Sequence, residues 1–120
     1  MEFPVEPIAP GYDASLPIAF PNDFADAVSL EAGALVAQFR ARVDSDTPLF
    51  TARTEDTTIT IARGVAETLV TVQVPASATA NMAPDTSVVF DFVRIDGAVR
   101  DHVPGLWRWP VRKAVTRDVG

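Results

Sequence analysis

Ser87-Val-Val-Phe-Asp-Phe-Val-Arg-Ile-Asp-Gly97 is the most apolar stretch of this 120-residue chain, and its pattern decides the fold class. Side chains of a strand point alternately to opposite faces, so Val88, Phe90 and Phe92 fall on one side and Val89, Val93 and Ile95 on the other. A strand that is apolar on both faces belongs in the middle of a sheet. Asp96-Gly97 is a strong hairpin signal, because glycine takes the positive φ that tight turns between strands require. The return strand then runs through Val99 to His102 and resumes as Leu106-Trp-Arg-Trp-Pro-Val-Arg-Lys-Ala-Val115. Pro104-Gly105 should bend it, and Pro110 places its later part on an edge or at a bulge.

The segments before this hairpin also read as strands. In Leu35-Val-Ala-Gln-Phe-Arg-Ala-Arg-Val43, Ala37, Phe39, Ala41 and Val43 alternate with Gln38, Arg40 and Arg42, which is the signature of a half-buried strand. A short run from Leu49 to Arg53 follows the turn-forming Asp44-Ser-Asp-Thr-Pro48. Thr57 to Ala62 sets Ile59 and Ile61 on one face, and Glu67 to Val74 does the same with Val70, Val72 and Val74, joined through Arg63-Gly64-Val65-Ala66. Pro75-Ala-Ser-Ala-Thr-Ala-Asn-Met82 suits a short crossover helix, with proline in the first turn and alanines behind it. A further strand at Ser15–Phe20 or Ala27–Leu30 brings the count to about seven. The expected fold is an all-β, immunoglobulin-like β-sandwich of about seven strands, with an up-and-down barrel as the alternative. Its expected core is Phe39, Ile59, Ile61, Val70, Val72, Phe90 and Phe92.

The front of the chain has a different composition. Residues 1–21 hold five of the ten prolines, interleaved with Phe3, Val5, Ile8, Tyr12, Leu16, Ile18 and Phe20. Proline removes backbone donors and drives its predecessor toward extended conformations, so a helix is excluded here. Large apolar groups are uncommon in disordered tails. The expectation is an extended proline-rich arm over residues 1–21, followed by a sandwich domain over 22–120. Phe3, Pro4, Val5, Ile8, Tyr12 and Phe20 are its candidate anchors on a neighbouring chain. The expected arm has no backbone hydrogen bonds within its own domain. If its removal unfolded the protein, the segment would belong to the domain's own sheet.

Taken together, several stretches resemble one family. They are Ala34-Leu-Val-Ala-Gln-Phe-Arg, the short Thr- and Val-rich strands in the middle, Pro75-Ala-Ser-Ala-Thr-Ala, Val89-Phe-Asp-Phe-Val-Arg-Ile-Asp-Gly97 and the closing Val115-Thr116-Arg117. Residues 27–117 resemble the small β-sandwich proteins encoded in the structural modules of tailed phages and prophages, related in style to the N-terminal domain of baseplate upper proteins. The proline-rich front departs from that pattern, which has a Gly-Asp start to its first strand. The resemblance implies a non-enzymatic virion structural protein, made in the host cytoplasm. Its partners would be other virion proteins and copies of itself, in a homo-oligomer joined through arms and sheet edges. A carbohydrate-binding or adhesion module is the alternative from another class.

Charge and chemistry narrow the function classes. The net charge is −6. Residues 1–60 carry three Arg against ten Asp and Glu, a balance of −7, while residues 61–120 carry seven basic against six acidic, a balance of +1. Such a chain has no overall attraction for a phosphate backbone, so direct nucleic-acid binding is not expected. No apolar run approaches the roughly 20 residues of a bilayer span, and the acidic, proline-bearing start is unlike a signal peptide. No membrane partner is expected.

There is no cysteine, and His102 is the only histidine, so one chain cannot assemble a His/Cys zinc site. None of the five serines lies in a Gly-x-Ser-x-Gly setting, and no glycine-rich phosphate loop is present. Asp101-His102 reads as a solvated bend, and the pairs Asp44/Asp46 and Glu55/Asp56 as turn residues. No catalytic residue, metal, cofactor or small-molecule substrate is expected. Trp107 and Trp109 share a strand face with Arg108 opposite, which suits packing against Phe90 or Phe92, or a protein interface. With Arg112, Lys113 and Arg117 they form the candidate interface near the C-terminus.

Overall fold

A computed structural model describes residues 7–31 and 33–113 of the chain. Its strands are β1 (Ala14–Pro21), β2 (Ala34–Phe39), β3 (Phe50–Arg53), β4 (Ile59–Arg63), β5 (Glu67–Val74), β6 (Thr86–Asp96) and β7 (Val99–Val111). Two short helices interrupt them, α1 (Asn22–Ala27) and α2 (Ala76–Thr79). The strands form a three-stranded sheet in the order β1-β5-β4 and a four-stranded sheet in the order β3-β2-β6-β7. Every pairing within the two sheets is antiparallel. The architecture is an all-β sandwich of two antiparallel sheets.

Alternation fills the space between the sheets. Leu16, Ile18 and Phe20 point inward from β1, Val70, Val72 and Val74 from β5, Leu35, Ala37 and Phe39 from β2, and Phe90 and Phe92 from β6, all of them buried. Of the expected core, only Ile61 is partly exposed. Phe39 and Phe90 stack at 4.4 Å between ring centroids, and Phe92 meets Trp107 edge-on at 5.2 Å. At the far end of β6 the inward face changes character, and Arg94 is held there by Asp101 and Asp96.

β6 sits between β2 and β7, as its double-sided apolar pattern requires. The β6–β7 hairpin pairs Asp96 with Val99, with Gly97 at φ 62 in the first loop position, where a type II′ turn needs glycine. β7 is the outer strand. Its register slips opposite Asp91, because Phe90 pairs with Trp107 but Phe92 pairs with Val103. Asp91 alone faces Pro104-Gly105-Leu106, two residues more than regular pairing needs, and Gly105 crosses the Trp107 indole so closely that a Cβ there would lie 2.7 Å from its ring. Pro110 lies in this edge strand. Its carbonyl accepts from the Ile8 amide at 2.8 Å, so its missing donor also faces the edge, where it costs no β6–β7 bond.

The proline-rich front requires a correction. From Ile8 onward it belongs to the sandwich. β1 pairs with β5 over its whole length, from Ala14 opposite Val74 to Pro21 opposite Glu67. Ile8 is fully buried and bridges Val111 in parallel, and Phe20 is buried against Phe24 and Trp107. Tyr12 is half-buried, and its carbonyl accepts from the Thr79 hydroxyl at 2.7 Å. The physical reason is register. Pro17 and Pro21 fall on outward positions of a strand with a neighbour on one side only, where the missing N–H need not break a ladder. The expected boundary between residues 21 and 22 therefore separates nothing within the described residues. Phe3, Pro4 and Val5 lie outside them.

Two further differences are local. Residues 40–43 leave the sheet after a single bridge from Arg40 to Val89, so Val43 is 63% exposed. Asn22-Asp-Phe-Ala-Asp-Ala27 forms α1, and Val28-Ser-Leu30, which the alternative first strand at Ala27–Leu30 would contain, is a turn. The Asn22 side chain bonds the carbonyls of Gly64 and Val65 and accepts from Thr68, tying the end of β1 to the β4–β5 turn.

Candidate functional site: the outer face of the four-stranded sheet

The inward set of β2 and β6 leaves an outward set that is not uniformly polar. Val36 and Gln38 of β2, Asp91, Val93 and Ile95 of β6, and Arg100 and His102 of β7 share the outer face through the pairs Val36–Val93, Ile95–Arg100 and Val93–His102. Arg53 joins them from β3, opposite Val36. Val36, Val93 and Ile95 are half-buried by their neighbours on this face. They line a depression of about 290 Å³ together with Gln38, Arg53, Asp91 and Arg100. A smaller hollow of about 90 Å³ continues it toward Arg40, Val43 and Leu106.

Electrostatics distinguishes the two ends. At the end near Leu106, Arg40 donates to the Gln38 side-chain Oε1 at 2.6 Å and to the Ser45 backbone carbonyl at 2.7 Å. In the middle, His102 Nε2 lies 2.7 Å from Asp91 Oδ2. His102 thus stands on a strand, in contact with a carboxylate, where the sequence suggested a solvated bend. Among the described residues, neither Arg53 nor Arg100 closes an ion pair or donates a side-chain hydrogen bond. Asp56 feels the charge of Arg53. Its carboxyl is held below the usual range first by the Thr58 hydroxyl and amide, and only weakly by Arg53. The face therefore offers an apolar floor between two available guanidiniums.

The residues singled out in the sequence fall elsewhere. Trp109 is buried and Trp107 half-buried, both pointing inward, and Phe90 lies 6.1 Å from Trp107 and 6.3 Å from Trp109 between ring centroids. Their place is the core, so the interface expected of the two tryptophans is corrected. The alternation that put both on one face was sound, but that face is the inner one. Arg108, Arg112 and Lys113 are exposed, and Arg117 lies outside the described residues. Arg108 stands opposite Val89 on the outer side of β7, and the Arg112 amide bonds the Ile8 carbonyl at 2.9 Å.

Val36, Val93, Ile95, Arg53 and Arg100 were not singled out as a site. Their signal was the second apolar face of β6, which suggested only that the strand is central. No group of three or more His, Cys, Asp or Glu side chains suited to a metal ion occurs among the described residues, and no described helix is long and apolar enough to cross a membrane. Compared with protein-family models, with curated proteins and with solved structures, the chain matches none of them.

Proposed function

We propose that this protein is a non-enzymatic assembly subunit, an immunoglobulin-like β-sandwich that joins copies of itself and neighbouring structural proteins across the outer face of its four-stranded sheet. Strand order supports the immunoglobulin-like reading. That fold sets strands A-B-E-D in one sheet and C-F-G in the other, with C′ beside C in variable-type domains. Here β1-β5-β4 takes the places of B-E-D, and β3-β2-β6-β7 those of C′-C-F-G. Ile8, bridged in parallel to Val111, stands where a first strand has moved across to the last. The disulfide that links B to F in antibody domains has no counterpart in a chain without cysteine. Phe20 and Phe92, 6.3 Å apart between ring centroids, join the same two strands by aromatic contact.

The observation that carries the functional reading is a double-sided apolar strand in a sheet that has a packed layer on one side only. Val36, Val93 and Ile95 each gain roughly 25 cal/mol per Å² of apolar surface removed from water when that face is covered. The setting is a tailed-phage or phage-like particle, as the resemblance of residues 27–117 implies. There one subunit is repeated about a symmetry axis and works by contact rather than by chemistry.

Sedimentation velocity of the full chain over a concentration series tests this. The mass should rise with concentration. Val93→Asp should abolish the rise while retaining the circular dichroism spectrum of the folded β protein and lowering the thermal midpoint by only a few degrees. A chain that stays monomeric at every concentration, or a Val93→Asp variant that associates like its parent, overturns the reading.

A further inference from the structure

The depression between Arg53 and Arg100 has a definite shape and charge, and the chain contains a segment that matches both. Met1-Glu-Phe-Pro-Val-Glu-Pro7 alternates apolar Phe3 and Val5 with acidic Glu2 and Glu6, and its two prolines favour an extended course. We infer that the outer face of the four-stranded sheet receives residues 2–6 of a second copy of this chain. Phe3 and Val5 face Val36, Val93 and Ile95; Glu2 and Glu6, which alternation turns to the other side of the segment, are reached from the two rims by the long, exposed Arg53 and Arg100 side chains, while Asp91 between them is engaged by His102. The inference rests on the assembly reading and names the occupant of its face.

Spacing supports the match. β3 and β7 are the outer strands of the sheet, three inter-strand steps apart, and Arg100 sits two residues further along than the position of Arg53. At about 4.8 Å per step and about 3.3 Å per residue, the two arginine backbones are roughly 16 Å apart. Glu2 and Glu6 are four residues apart, roughly 14 Å in an extended chain, and the long side chains on both sides cover the difference. A segment spanning from β3 to β7 crosses the strands and takes no ladder bonds from them, so Pro4 costs it nothing there.

The same geometry shows that the donor is another copy. Ile8 is fixed beside Val111, which pairs with Thr86, whereas Arg100 pairs with Ile95. Thr86 and Ile95 are nine residue steps apart on β6, about 30 Å. Val5 stands three residues from Ile8 and reaches at most about 11 Å from it. It cannot lie on its own Val93 and Ile95. Each copy therefore gives its segment to one neighbour and receives one from another. Such a head-to-tail contact closes into a ring or runs on as a filament.

Charge exchange between full-length chains tests the proposal, with association read by sedimentation equilibrium. One variant carries Glu2→Arg and Glu6→Arg, the other Arg53→Glu and Arg100→Glu. Arg53 and Arg100 are exposed, so the fold stands without them. Each variant alone should associate at least about tenfold more weakly than the unaltered chain, and an equimolar mixture should regain its affinity to within about threefold. A synthetic peptide of residues 1–7 should dissociate the unaltered assembly, and its Glu2→Gln, Glu6→Gln form should not. Variants that associate like the parent, or a mixture that does not recover, overturn the proposal. If Val93→Asp abolishes association while the charge exchanges leave it unchanged, the face is an interface with some other occupant, such as a second face or another protein, and only this inference fails. A chain monomeric throughout removes both readings.

Discussion

The two outer faces of the sandwich follow the same alternation and come out differently. On β1-β5-β4 the outward positions are Ser15, Pro17 and Ala19 against Gln73, Thr71 and Leu69, with Thr60 and Ala62 beyond. On β3-β2-β6-β7 they include Val36, Val93 and Ile95 between Arg53 and Arg100. The cations differ in setting. Arg63, on the inward register at the end of β4 opposite the buried Thr68, is held at the α1 end of the sandwich by Asp26 at 2.8 Å and by Glu31 at 3.5 Å, whereas Arg53 and Arg100 stand on the outer face of the other sheet without an ion pair among the described residues. The first face carries mostly small and hydroxyl-bearing residues around a single large apolar one, the exposed Leu69. The other has half-buried apolar side chains between two uncommitted guanidiniums, the features on which the proposed interface rests.

Four experiments would break or sharpen this contrast. The largest effect is expected from deleting residues 1–21. That removes β1 from the three-stranded sheet and exposes the partners of Leu16, Ile18 and Phe20, each worth roughly 1.5–3 kcal/mol of burial, along with a full strand ladder. Against a typical net stability of about 5–15 kcal/mol, the product should be unfolded by circular dichroism. A folded, cooperative truncation would return β1 to the status of an arm.

Next comes the face shared by both sheets. Phe90→Ala removes a ring in contact with Phe39, Phe92, Trp107 and Trp109, and should cost about 3–5 kcal/mol in denaturant unfolding. A loss below about 1 kcal/mol would mean that the inner aromatic cluster is not packed as described.

The third experiment compares the outer faces directly. Leu69→Asp, at an exposed position, should change stability by no more than about 0.5 kcal/mol, and Val93→Asp, at a half-buried position of a central strand, by about 1 kcal/mol, with both variants folded. Only Val93→Asp should weaken self-association. Equal effects on association would erase the distinction between the faces.

The smallest effect concerns the paired charge. The Arg63 guanidinium, chiefly through its hydrogen bond, holds the Asp26 carboxyl below its ordinary 3.8. A folded value below the unfolded one means that the pair contributes fully at neutral pH, and that its contribution is lost as pH falls below the ordinary carboxylate range and through the folded value. Carboxyl NMR titration should place Asp26 low, and Arg63→Gln should return it to its ordinary position. An unchanged Asp26 in that variant would show that the ion pair is not made in solution.

Period-two patterning was strong enough in the sequence to mark most of the strands. β5 runs over Glu67–Val74, the residues that alternation selected, and Asp96-Gly97 makes its turn because glycine alone accepts that backbone without cost. α1 was missed because six residues are too few for helical periodicity to emerge, and because Pro21 and Asn22 read equally well as a turn. The alternation of Ala41 and Val43 with the arginines persists past the point where β2 ends, since pattern alone does not say where a pairing partner runs out.

The sequence by itself determined the class of fold and most of its core, because those depend on which residues alternate along one strand. It also showed that β6 is apolar on both sides. Tertiary structure decided which face of each strand meets another sheet. It turned Trp107 and Trp109 inward, made β1 an edge on which prolines are tolerated, and brought Arg53 and Arg100, 47 residues apart, to the two rims of one depression. Those outcomes depend on strand order across two sheets, a long-range pairing that no local stretch of the chain encodes.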